Sequence, residues 1–263
     1  MSSHRGRSSQ TATAGRDGTP TDGGRSFALF WAARDRSPRG PKPALTLDAV
    51  VQAAIALADA EGLGALTMSR VATRLGVTPM ALYRYVPGKE DLVDLMTDAA
   101  RGAPPAAEGD AWRLEITRWA RASLALFARR PWLLKSAQRR VPIGPRWLDW
   151  LEAGLRALAA SGLPPDELVA AVMLVDGHVR ATAQLAVGAA GTERWSHDFA
   201  RVLHAVRGDT RYPALTRVAD AGGFDVAASA TSSAFEFGLR RVLDGIAASP
   251  PAPSPASPDR SAG

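Results

Sequence analysis

Cysteine is absent from all 263 residues. That excludes disulfide frameworks, thiolate metal sites and cysteine nucleophiles together, and nothing in the chain calls for an oxidising compartment. Long apolar runs are missing as well. The longest, Leu168 to Val175, stops at Asp176, far short of the roughly 20 residues that span a bilayer. The N-terminus is polar and arginine-rich with no apolar stretch behind it, so it does not read as a secretory signal. A soluble, cytoplasmic chain without a membrane partner is expected. No segment alternates apolar and polar residues with β-branched enrichment, so no sheet is expected. Enzyme signatures are lacking too: no Gly-rich phosphate loop after a strand, no G-x-S-x-G elbow, no H-E-x-x-H, no paired carboxylates. His197 and His204 are seven apart, which does not match the i, i+4 spacing of metal-binding pairs. No enzyme activity, no metal and no cofactor are predicted.

What is present is a surplus of cations, +6 overall, and it is uneven. Residues 1–43 hold eight Lys/Arg against three Asp/Glu. Residues 44–101 hold five against seven, and residues 102–263 nineteen against sixteen. The excess weakly favours a polyanionic partner, but any nucleic-acid reader in the middle must gather its few cations on one face. Residues 1–43 read as a disordered basic extension, interrupted by the apolar island SFALFWAARD (26–35) and broken by SPRGPKPA (37–44). Residues 249–263 form a Pro/Ser-rich tail.

From Thr46 the chain reads as consecutive helices, an all-α fold. Thr46 is a good N-cap, and Val50, Val51, Ala54, Ile55 and Ala58 recur at helical spacing until Gly62. Thr67 opens a second helix through Val71, Ala72 and Leu75 to Gly76. Thr78 with Pro79 at the first helical position opens a third, closed by Pro87-Gly88. A fourth begins with Glu90 and Asp91, which suits the helix dipole, and runs to about Arg101. After a linker (101–110), Trp112, Ile116, Trp119, Ser123 and Phe127 form one helical stripe. Leu148, Leu151, Leu155 and Leu158 form another. A long helix spans about Pro165 to Val187, residues 192–206 suggest a further one, and the last follows an Asp225 N-cap.

Two short helices joined at a tight glycine are the geometry of a helix-turn-helix. Val77 and Leu82 face inward with Val71 and Leu75, leaving Thr78, Pro79, Met80, Ala81, Tyr83, Arg84 and Tyr85 exposed. Such a helix enters the major groove with its N-terminal half. Tyr hydroxyls and Lys89 suit phosphate oxygens, and Arg84 is the side chain on this helix able to grip guanine bidentately.

Residues 45–96 carry a resemblance. AIALADAEGLGALTM, VATRLGV, ALYRYV and KEDL, at this spacing, resemble the DNA-binding domain of the tetracycline-repressor (TetR) family of bacterial regulators. FEFGLRRVLDGI (235–246) and ARRPWLL (128–134) resemble the larger ligand-sensing, dimerising domain of that branch. The resemblance implies a three-helix helix-turn-helix domain over 44–101 and a dimerising helical bundle over 110–248. Family members bind palindromic double-stranded operator DNA as homodimers and release it when a small-molecule effector enters the bundle. By position, Met68 and Ser69 would face DNA with Pro79, Met80, Ala81, Tyr83, Arg84, Tyr85 and Lys89. The magnesium-chelated drug of the tetracycline repressor finds no transferable local motif here.

Several positions stay open between two roles. His178 is either a buried, hydrogen-bonded histidine or a polar anchor in an effector pocket. Trp119, Phe127 and Trp147 are core residues or pocket walls. Phe235, Leu239, Val242 and Ile246 are intrachain core or, preferably, part of an intersubunit four-helix bundle. The reading as a whole is a one-component transcriptional regulator, most simply a repressor. Its rival is an architectural DNA protein that binds without sequence preference and senses nothing. The basic extension is a solvated leader or an arm on DNA, and removing residues 1–40 separates the two. An arm loses about 0.9 of log–log salt slope per phosphate contact removed, whereas a leader leaves the slope unchanged.

Overall fold

The computed structural model describes residues 29–31, 45–137, 142–188, 192–224 and 230–249. Most of the basic extension, the proline break at 37–44, Asp225 and the tail beyond Ser249 lie outside the described residues. From Leu47 onward the described residues form eleven α-helices, two short 3-10 turns and no strand.

Helix α1 (Leu47–Glu61) starts where the Thr46 Oγ1 accepts the Ala49 N–H at 3.1 Å. It buries Val50, Val51, Ala54, Ile55 and Ala58 and stops at Gly62. A 3-10 turn (Leu63–Ala65) then inserts Leu66 into the core. Helix α2 (Met68–Leu75) is capped by Thr67, which accepts the Arg70 N–H at 3.2 Å. Its C-terminus is a Schellman motif. The Val77 N–H donates to the Ala72 carbonyl at 3.0 Å and the Gly76 N–H to Thr73 at 3.1 Å, with Gly76 left-handed at φ 67°. No atom lies within 4 Å of where a Cβ on Gly76 would stand, so glycine is needed there for its backbone angle alone.

Helix α3 (Pro79–Tyr83) is shorter than its sequence suggests. Thr78 holds the N-cap position, but its hydroxyl caps nothing. The Tyr85 and Val86 N–H groups both donate to the Leu82 carbonyl at 2.9 Å, turning the chain away after one and a half turns. Leu82 and Val86 are fully buried and pin this single turn to the domain.

Helix α4 (Lys89–Arg101) leads out of the N-terminal half and is enclosed on nearly every side. It packs against α1 on one flank and against α6 (Trp132–Ala137) and α7 (Pro145–Leu158) on the other. The remaining helices are α5 (Trp112–Arg129), α8 (Pro165–Gly188), α9 (Thr192–Ala205), α10 (Pro213–Asp220) and α11 (Ala230–Ala248). Helices α5, α7 and α8 share a core of Ile116, Trp119, Phe127, Trp150, Leu158, Val172 and Val175, and α11 lies along α8. The apolar pattern gives no separate sign of α6 or α10. Helix α7 begins before its leucine stripe, with Pro145 at the first helical position.

Polar contacts fasten the two halves where α4 meets the bundle. The Asp98 carboxylate, buried on α4, accepts the Arg146 and Trp147 N–H groups at 3.1 and 2.9 Å and so caps α7 from another helix. Gly144 belongs to the same fit, since a Cβ there would stand 2.3 Å from the Asp98 Cγ. Arg130 donates to Asp59 on α1 at 3.2 Å and to the Ala100 carbonyl of α4 at 2.8 Å. Trp132 Nε1 reaches the same Asp59 at 2.7 Å. Trp150 Nε1 donates to the Gly102 carbonyl just past α4 at 3.2 Å. The linker is likewise tied down: Arg118 holds Glu108 and Asp110 at 2.9 and 2.5 Å. Part of the N-terminal apolar island joins this junction too. Phe30 is buried against the groove between α1, α4 and the start of α7.

Two substitutions separate backbone angle from junction packing. Gly76→Ala is expected to cost about 1–2 kcal/mol through its left-handed φ. Asp98→Ala strands two N–H groups of α7 and is expected to cost about 1–3 kcal/mol. Denaturant unfolding of the whole chain checks both. A loss under about 0.5 kcal/mol for Asp98→Ala, the usual scale of surface changes, would contradict the cross-helix cap.

Candidate DNA interface and effector cavity

Short α3 and its buried anchors present an outer face with little of its own to bind. Met80 is 74% exposed and Tyr83 47%. Ser69, Thr78, Pro79, Arg84 and Lys89 are exposed beside them. The side chains of Arg84 and Lys89 make no hydrogen bond or ion pair among the described residues, whereas Arg70 is held by Glu61 at 2.6 Å and by the Ala65 carbonyl at 3.3 Å. The cations available to a phosphate backbone are therefore fewer than the sequence count suggests. Arg74, exposed in the last turn of α2, is a further available cation that the sequence reading passes over. A basic residue at a helix C-terminus reads first as a partner of the dipole.

Three of the expected residues are less exposed than the sequence suggests. Met68 is 8% exposed and lies in the core under α2, so its side chain is not on the outer face. Position at the start of a helix gave its place in the chain, but the 100° step per residue turns Met68 inward and Ser69 outward. Tyr85 follows the end of α3 and is half-buried against the core, and Ala81 is half-buried as well. The exposed cluster narrows to Ser69, Thr78, Pro79, Met80, Tyr83, Arg84 and Lys89.

In the bundle, the four candidate pocket residues do not converge. Trp119 and Trp147 meet Trp150, Arg101, Asp176 and Arg180 around a cavity of about 20 Å³ between α4, α5, α7 and α8. That is room for about one water. Trp119 donates its Nε1 proton to the Trp150 carbonyl at 2.9 Å and meets the Trp150 ring edge-on, centroids 5.9 Å apart. Phe127 lies away from this cavity, buried beneath the Arg180 guanidinium at 5.5 Å. His178 has its Nε2 2.9 Å from the Phe235 carbonyl and stacks on the Phe235 ring, joining α8 to α11. The hydrogen bond and the stacking tie it to α11 within the chain. Burial lowers the Arg101 guanidinium below its ordinary value, and neighbouring Arg180 adds to this. Burial also raises the Asp98 carboxyl, which the two N–H groups of α7 partly offset.

The expected interface residues fall mostly inside one chain. Phe235, Leu239 and Ile246 are buried, and Val242 is half-buried. They cover α8 within the same chain, which satisfies their apolar faces without a second copy. The exposed apolar side chains lie elsewhere, with Leu174 and Leu185 on α8 and Phe237 on α11. Among the described residues no group of three or more His, Asp or Glu side chains gathers as a metal site. No single helix there is long and apolar enough to cross a membrane.

The description "Bacterial regulatory proteins, tetR family" matches residues 50–96, and "Tetracyclin repressor-like, C-terminal domain" matches residues 104–249. The HTH-type transcriptional repressor DrrR1 of Streptomyces coeruleorubidus is 41% identical over 264 residues, covering 94% of this chain and 95% of its own. An HTH-type transcriptional regulator of Saccharopolyspora erythraea is 30% identical over 239 residues, covering 88% of this chain and 95% of its own. The crystal structure of ActR of Streptomyces coelicolor in complex with actinorhodin superposes with a TM-score of 0.67 at 28% identity. That superposition covers 77% of this chain and 95% of ActR. With both halves matched in order, and with a reading turn joined through one shared helix to a sensing bundle, the chain belongs to the TetR family of bacterial regulatory proteins.

Proposed function

We propose that this chain is a one-component transcriptional repressor that binds a palindromic operator as a homodimer and leaves it when a small molecule enters the α5–α7–α8 bundle. The observation that carries the reading is mechanical. The exposed face of α3 is rigidly fixed by Leu82 and Val86, and the adjoining α4 is packed into both the reading domain and the bundle. A shift of α7 or α8 therefore has a path to the spacing of two reading heads. The related ActR, solved with actinorhodin bound, supports a small-molecule trigger. For the ligand to release DNA, it must prefer the non-binding arrangement over the binding one.

Dimerisation is assigned to the outer faces of α8 and α11. Leu174, Gly177, Ala181 and Leu185 recur at helical spacing on one exposed stripe of α8, and Phe237 is exposed on the neighbouring α11. A stripe with two small residues lets a second copy approach closely, and a self-complementary patch of this kind is what a two-fold dimer needs.

Fluorescence anisotropy with DNA flanking the chain's own gene, against a scrambled duplex of equal length, tests the reading. A preference of ~10³ or more, at two chains per site, is expected. Arg84→Ala should cost about 1–3 kcal/mol on that duplex and relax its sequence preference, while Lys89→Ala should weaken both duplexes alike. Equal, strongly salt-dependent binding to both duplexes would overturn specific repression in favour of phosphate-only, architectural binding.

A further inference from the structure

Before Leu45 the chain carries five large apolar side chains, Met1 and the cluster Phe27, Leu29, Phe30 and Trp31. An extension otherwise rich in Ser, Thr, Gly and Arg has no use for such a cluster unless something covers it. Residues 29–31 show what does. They are helical, Phe30 is 6% exposed, and Leu29 and Trp31 are half-buried against the core. The groove that takes Phe30 has walls of Leu47 and Val51 from α1, Leu95 and Ala99 from α4, and Pro145 from the head of α7. One ring thus meets helices from both halves of the molecule. Asp98, the carboxylate that caps α7 from α4, lines the same groove, so the ring and the cap hold the same pair of helices. The groove keeps about 550 Å³ of open space beside the ring, which makes the seat a loose one.

We propose that residues 29–31 are a detachable wedge, seated through Phe30 in the groove between α1, α4 and α7, and that its seating fixes the reading head against the bundle. The gain from one buried phenyl ring favours seating over release by on the order of tenfold to a hundredfold. Such a contact is filled nearly always, yet it opens far more readily than the core around it. An arrangement that moves the head of α7 away from α1 and α4 splits the walls of the seat, and Phe30 then fits it less well. By linkage, seating favours the arrangement described here. Holding two half-sites at once requires a fixed spacing of two heads, so release of the wedge weakens two-headed binding without touching any DNA contact. This coupling rests on the operator reading above. The seat itself does not, and it needs nothing from residues 1–25.

Thermal melting and DNA binding of the full chain and its variants test both parts. Phe30→Ala is expected to lower the melting temperature by about 3–12 °C, and Phe30→Leu by less than half of that loss. Removing residues 1–25 should change nothing, whereas removing residues 1–31 should lose at least as much as Phe30→Ala. On the operator duplex Phe30→Ala should weaken binding about threefold or more, as fewer molecules hold the competent spacing, with no change on a duplex carrying one half-site. A melting temperature unmoved by Phe30→Ala overturns the seat, as does an equal loss on removing residues 1–25 alone. A lowered melting temperature with operator binding unchanged or tighter, or with an equal loss on the half-site duplex, overturns the coupling. A wild type that binds the full duplex no better than the half-site overturns the operator reading and the coupling with it, while the melting shift still decides the seat.

Discussion

Everything in this molecule leans on the burial of α4. A helix belonging to one domain normally shows a stripe to the core and a face to water. Here Leu92, Val93, Leu95, Met96 and Ala100 are buried together with Asp94, Thr97 and Asp98, so the helix has almost no face left for water. Neither half is complete without it. The reading domain loses the partner of α1, and the bundle loses the carboxylate that starts α7. One continuous apolar cluster accordingly runs from Phe30 to Ile246 with no break at the domain boundary.

That arrangement leaves the polar groups of the junction unevenly matched. Most buried polar groups at the junction are answered in kind: Asp59 by Arg130 and Trp132, the Ala100 carbonyl by Arg130, the Gly102 carbonyl by Trp150. Arg101 is answered poorly. Thr97 Oγ1 on the same helix is buried without a partner too, and a junction held tightly at several points and loosely at two suits a two-state element.

Much of the reading half was legible in the sequence because its signals are local. Thr46 and Thr67 cap as their hydroxyls require, Gly76 turns the chain, and Pro79 opens α3, all within a few residues of the features they control. The bundle was legible as helices but not as contacts. Periodicity marks an apolar face without saying what covers it, which is why Phe235, Leu239 and Ile246 pointed to a second chain ahead of α8. His178 was ambiguous for the same reason, since its partner is the carbonyl of a residue 57 positions away. Met68 was misplaced through rotation rather than position. Helices α6 and α10, with six and eight residues, are too short for a period to register. Asp98 reads in the sequence as one more surface acid on a helix, because only the fold brings α7 to it.

The brevity of α3 has one more consequence. Across residues 78–86 the domain relies on Leu82 and Val86 for its packing, and of the five helical residues only Leu82 is fully buried. Lineages carrying this scaffold are at liberty to redraft Thr78, Met80, Tyr83 and Arg84 one at a time without endangering the fold. On the proposed repressor reading, new operators then come within reach by point mutation, whereas the interlocked tryptophans of the bundle leave fewer positions that can change singly. The molecule is built so that its address is easier to rewrite than its trigger.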